Sequence, residues 1–124
     1  MARMTATVKR FRENLKTTVG RCEICGKDHY RYVPGCQSFR LDVHEIARGV
    51  NREKALDKPY ALLVLCAACH IQRIHGNEDW PEARQLAVLK RSRPGDYDLA
   101  KYNALVGYGP QRITEEDVDV WATP

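Results

Sequence analysis

The sequence has no apolar run long enough to cross a bilayer, which removes helical membrane spanners from consideration. It has no apolar signal core at its start either. Met1 to Lys16 is interrupted by Arg3, Lys9, Arg10 and Arg12, so a reducing cytoplasm is the expected setting. Internal repeats and low-complexity stretches are missing, which excludes solenoids and biased linkers. Nothing in the composition suits a disordered chain: 44% of residues are hydrophobic and 29% charged, near ordinary globular values. At 124 residues the chain is expected to be one domain with at most a short appendage.

Cysteine is present, and its spacing is the main signal. Cys22-Glu23-Ile24-Cys25 and Cys66-Ala67-Ala68-Cys69 are two CxxC pairs. In a reducing compartment such pairs are read as metal ligands rather than disulfides. Four thiolates enclose a tetrahedral Zn²⁺ with no open position, so this zinc is expected to be structural. Such a site supplies roughly 10–16 kcal/mol in small zinc domains, a large term beside a modest core. A thiol redox role for one pair is the minor alternative, because neither pair sits in a βαβ pattern. Cys36 is left over, either as a small loop residue or as a substitute ligand.

Charge is unevenly spread. Residues 1–94 carry eighteen Lys and Arg against ten Asp and Glu, whereas residues 95–124 carry two against six. The basic body fits a polyanionic partner such as nucleic acid. The acidic end can pack against that body or limit non-specific binding.

Periodicity gives the elements. Val8, Phe11 and Leu15 predict an amphipathic helix, or a basic arm, over residues 5–18. Tyr30 to Val33 reads as a short strand before the Pro34-Gly35 turn. Phe39 to Ile46 alternates as a strand, with Phe39, Leu41, Val43 and Glu45 on one face and Asp42, His44 and Ile46 on the other. Residues 49–58 read as a loop with one helical turn capped by Asn51. Tyr60 to Leu65 suits a buried strand that leads into the second cysteine pair. A helix is expected from Ala67 to about His75, ended by Gly76-Asn77. Three further helices follow: one entered at Pro81, one capped by Asp96 and one begun at Thr114, with breaks at Arg93-Pro94-Gly95 and Gly109-Pro110.

The order CxxC, strand with His44, then Leu62-Leu63-Val64-Leu65-Cys66-x-x-Cys69-His70 resembles the zinc-containing HNH nucleases. The string His44-Glu45-Ile46-Ala47-Arg48-Gly49 with Arg52 and Ala55 resembles small phage-encoded HNH-like proteins. The likeness covers roughly residues 21–75, and a helical tail extends it to about 106. It implies an α+β chain: a zinc-braced ββα-metal core over 21–76, a basic N-terminal arm or helix over 1–20, and a helical extension over 77–124. It also implies a DNA endonuclease in a bacterium or a phage-infected host cell, using Mg²⁺ or another divalent ion. In that chemistry a strand histidine acts as base on water while the ion polarises the phosphate.

Carried over by position, His70 falls at the helix-borne metal ligand. The strand pair makes His44 a ligand and places Glu45 at the base position. The other register makes His44 the base and Asp42 the ligand. Ala61 stands where the family has a bracing asparagine, a role that Asn51 can fill from the loop. His75 lies five residues beyond His70, about 140° round an α-helix, so the two are not expected to share a face. His29 is a loop residue near the first knuckle. Arg48, Arg52, Arg73 and Arg84 are the expected phosphate contacts. A catalytically degenerate module that binds nucleic acid or a protein partner is the second functional reading.

Overall fold

The structure, a computed structural model, describes residues 4–27, 40–107 and 112–122. The expectations for His29, the strand over Tyr30 to Val33, the Pro34-Gly35 turn, Cys36, Phe39 and Gly109-Pro110 lie outside the described residues.

The first helix, α1 (Ala6–Val19), forms on the predicted Val8–Phe11–Leu15 face, which turns Leu15 into the core. Thr5 caps it by accepting the Val8 N–H at 3.1 Å. Gly20 ends it in the left-handed region (φ 68°), a conformation open to glycine without a Cβ clash.

Two strands follow, β1 (Leu41–Glu45) and β2 (Leu62–Cys66), paired antiparallel with His44 opposite Leu63 and Leu41 opposite Cys66. Side chains alternate across a strand, and the two faces of β1 meet different helices. Arg12 of α1 reaches the Glu45 carboxylate and the Val43 carbonyl on one side. Gln85 of α3 (Glu82–Ser92) reaches His44 on the other. Thus β2 is covered on both faces, and all five of its residues are buried. This is why its sequence is a continuous apolar run rather than an alternating one.

The connection between the strands holds one helical turn, α2 (Asn51–Lys54), and a 3₁₀ turn, Pro59–Ala61. Asn51 does not cap α2; its side-chain amide donates to the Val106 carbonyl at 3.4 Å. After β2 the chain passes into a π-helical turn, Cys69–Ile74, where an α-helix was expected. The fourth helix, α4 (Leu99–Val106), is capped by Asp98 rather than Asp96, because it is the Asp98 carboxylate that reaches the Lys101 N–H. In α5 (Glu115–Ala122) Thr114 and Asp117 exchange side-chain to backbone hydrogen bonds, a reciprocal cap. The acidic α5 lies on α3, with Lys90 pairing Glu115 at 2.9 Å and Asp119 at 3.0 Å. The result is a small α+β fold. Among the described residues no helix is long and apolar enough to cross a membrane.

A buried charge pair ties the first knuckle to this frame. Glu23 accepts the Val64 N–H at 2.8 Å while its own N–H donates to the Val64 carbonyl at 2.8 Å. The same carboxylate is held by Arg93 at the end of α3, with Nε at 3.0 Å. Arg93 also donates to the carbonyls of Pro59 and Leu62 and to Asp96. Removing one partner strands the other charge in a dry site, which costs roughly 3–5 kcal/mol. Arg93→Met is therefore expected to lose most of that amount in urea unfolding. A loss under about 1 kcal/mol, the range of exposed pairs, would show that the pair is not an anchor.

Candidate metal centres

Two groups of metal-ligating side chains assemble at the hairpin and the turn after it. The first is Cys22, Cys25, Cys66 and Cys69, whose sulfurs all lie within 4.8 Å of one another. The Cys25 and Cys66 sulfurs stand 3.8 Å apart. That is far beyond a disulfide bond. It matches the edge of a tetrahedron, about 3.8 Å, with sulfur about 2.3 Å from a central zinc. Each pair folds as a knuckle in which the second cysteine's N–H points at the first one's sulfur: Cys25 to Cys22 at 3.5 Å, and Cys69 to Cys66 at 3.4 Å. Cys22, Cys66 and Cys69 are buried and Cys25 is exposed at the rim.

Burial pushes the Cys25 and Cys69 thiols up, with the Cys66 thiol adding to the rise at Cys69. Burial acts the same way at Cys22, but backbone N–H groups near its sulfur outweigh it and the net shift is downward. Ion uptake must therefore displace protons from thiols that otherwise keep them. Four cysteines so placed can hold a metal ion such as zinc.

The second group is His44, His70 and His75, with ligand nitrogens also within 4.8 Å of one another. Ring centroids are 5.1 Å apart for His44–His70, 5.6 Å for His44–His75 and 5.0 Å for His70–His75. His44 comes from β1 and is buried; the other two come from the turn after β2. The inclusion of His75 departs from the sequence expectation. Its N–H bonds the carbonyl of His70, an i+5 bond that adds one residue to the turn. Residues five apart then come nearly into line, instead of on different faces. The signal that could have found it is Gly76. A Cβ there would meet the Gln72 carbonyl oxygen at 1.8 Å, so only glycine allows this close approach.

Each of two rings has a fixed partner. His44 Nε2 lies 2.8 Å from Gln85 Oε1, and Gln85 Nε2 donates to the Trp80 carbonyl at 2.9 Å. His70 Nδ1 lies 3.1 Å from Asp42 Oδ2. Burial depresses the His44 pKa to about 4, with the neighbouring His70 and His75 acting in the same direction. Partial loss of water contact, then the neighbouring His70 and Arg52, lowers His75, although the residue stays exposed. Neutral imidazole, the form that binds metal, is thus favoured at neutral pH. Imidazole nitrogen suits zinc, nickel, copper and iron. Mg²⁺ takes oxygen ligands, and the carboxylate bonded to the cluster, Asp42, is engaged by His70; three imidazoles do not fit Mg²⁺.

The other sequence-predicted residues surround this cluster. His44, His75 and Gln85 line a cleft of about 350 Å³ together with Glu45, Arg48 and Arg52. Glu45 is ion-paired with Arg12 at 2.7 Å and Arg52 at 3.4 Å. Arg48 reaches the Trp80 carbonyl at 3.4 Å. Arg73 pairs with Glu78 at 3.2 Å, and Arg84 lies over the Trp80 ring at 3.7 Å from its centroid. Neither of these two lines the cleft. Ala61 is buried at the end of the 3₁₀ turn that leads into β2, and its side chain has no amide to brace the loop. Gln85 and Trp80 were not anticipated. A buried glutamine on an otherwise apolar helix face was the available signal, since an amide in that setting needs partners. Comparison with protein-family profiles, curated proteins and solved structures returns no match for the chain.

Proposed function

We propose that this chain is a divalent-metal-dependent DNA endonuclease of the HNH type, with a structural zinc on its four cysteines. The observation that carries the reading is the convergence of His44, His70 and His75 where an antiparallel hairpin meets the following turn, beside a cleft lined by Arg48 and Arg52. Three imidazoles leave coordination positions open, unlike the closed cysteine site. A divalent transition-metal ion held there supplies Lewis acidity toward a phosphoryl oxygen and toward water. The chain's own part is to orient three imidazoles and to present Arg48 and Arg52 to phosphate oxygens, which guanidinium forks match. Plasmid DNA incubated with Zn²⁺ or Ni²⁺ should be nicked by wild type and not by His70→Ala. Equal nicking by both would sink the proposal, because the activity would then come from a contaminant.

The second reading, a degenerate module that binds nucleic acid without cleaving it, is favoured by one observation. The residue at the base position, Glu45, is clamped between Arg12 and Arg52. Absent nicking with retained DNA binding would support that reading. The clamp also makes a prediction. Glu45→Gln should cost roughly 1–3 kcal/mol of stability, as a half-satisfied buried guanidinium does, and, where wild type cleaves, keep cleavage within about tenfold of wild type. Loss of the roughly 10²–10⁴-fold that a general base supplies, with unchanged melting, would assign the base role to Glu45 instead.

A further inference from the structure

We infer that Gln85 is a positioning residue for the histidine centre: it holds His44 as the Nε2–H tautomer and thereby turns the Nδ1 lone pair toward the ion. The inference rests on reading the three histidines as a metal site.

Both ends of the Gln85 amide are engaged. The side chain is buried, with only 3% of the residue exposed, so water does not supply its partners. One end lies 2.9 Å from the Trp80 carbonyl oxygen. That oxygen only accepts, so the amide nitrogen must face it. The amide oxygen is then the end 2.8 Å from His44 Nε2. A flipped amide would set two carbonyl oxygens against each other in a dry site, leaving both unsatisfied. An amide oxygen also only accepts, so the proton on His44 is on Nε2. Neutral imidazole has a single N–H, and Nδ1 is left with its lone pair.

Asp42 treats His70 in the same manner. Its carboxylate oxygen, 3.1 Å from Nδ1, only accepts, so a proton sits on Nδ1 and Nε2 is the nitrogen left to face an ion. Two of the three rings are thus set, each by a partner beyond the cluster. This is how ligand histidines are oriented at metal centres, and losing such a partner costs 10–100-fold in metal affinity. A histidine that merely fills space needs a satisfied N–H but no particular tautomer.

The test uses protein whose cysteine site is already loaded with zinc. Long-range ¹⁵N spectra of the imidazoles report which nitrogen of His44 is protonated, and Zn²⁺ titration reports affinity at the second site. Wild type is expected to show the Nε2–H form. Gln85→Met keeps the length of the side chain and removes the acceptor. It is expected to lose the single-tautomer signature and to bind the second Zn²⁺ about 10–100-fold more weakly, with cysteine-bound zinc and cooperative melting retained. Wild-type His44 protonated at Nδ1 overturns the inference without recourse to any variant. So does a Gln85→Met protein with unchanged affinity. Wild type that takes up no second ion removes the histidine centre itself, a failure distinguishable from the other two.

Discussion

Cys66→Ser is expected to bind no zinc at the knuckle pair and to melt without a cooperative transition. The expectation follows from where the four sulfurs sit. Cys22 belongs to a segment before the hairpin, Cys66 ends β2 and Cys69 opens the π-helical turn. An ion at their centre would join the segment before the hairpin to the end of β2 and the turn after it, adding to the bonds that Glu23 already makes with Val64 and Arg93. Structural zinc contributes roughly 10–16 kcal/mol, against total stabilities of about 5–15 kcal/mol for whole domains. Removal of a buried ligand should therefore exceed the margin that the remaining core supplies. The effect should be graded. Cys25 is exposed at the rim, where water can occupy the fourth position, so Cys25→Ser should retain weakened zinc binding and part of the transition. Zinc content by elemental analysis and melting followed by near-ultraviolet circular dichroism measure both variants. A Cys66→Ser protein that is zinc-free and melts cooperatively near wild type would show that the helices and hairpin hold without the clasp.

The parts of the fold that were legible in the sequence are those set by local pattern. Val8, Phe11 and Leu15 specify the buried face of α1 because helix periodicity needs no tertiary information. The Leu62 to Leu65 run announces a strand covered on both sides for the same reason. The cysteine spacing led directly to the four-sulfur cluster. What escaped depends on partners distant in sequence. Asn51 reads as a cap, yet its amide goes to Val106, a residue 55 positions away. Glu23 and Arg93 look like surface charges until folding brings them together across 70 positions. Glu45 falls at the base position of the resemblance, and only the fold delivers Arg12 to it. Each is a long-range pairing that overrides an ordinary local preference.

The turn after β2 carries the other large prediction. On the proposed nuclease reading, His75→Ala is expected to lower affinity for a second Zn²⁺ by at least about 100-fold, the upper range for losing a partner one layer further out, and to remove DNA nicking with it. The cysteine site and the melting transition should be little changed, because His75 is exposed and adds nothing to the core. His70→Ala should match it at the second site. Gly76→Ala separates the ligand from the backbone that delivers it. The added methyl would stand 1.8 Å from the Gln72 carbonyl oxygen, so the turn must open. If the i+5 bond between His75 and His70 aligns the two rings, opening it swings His75 away while leaving every imidazole in the sequence. Gly76→Ala should then reproduce most of the His75→Ala defect in second-site Zn²⁺ titration, with cysteine-bound zinc intact. Wild-type affinity in Gly76→Ala would mean that the ligands converge without the π turn, and wild-type affinity in His75→Ala would leave His44 and His70 as a two-histidine site.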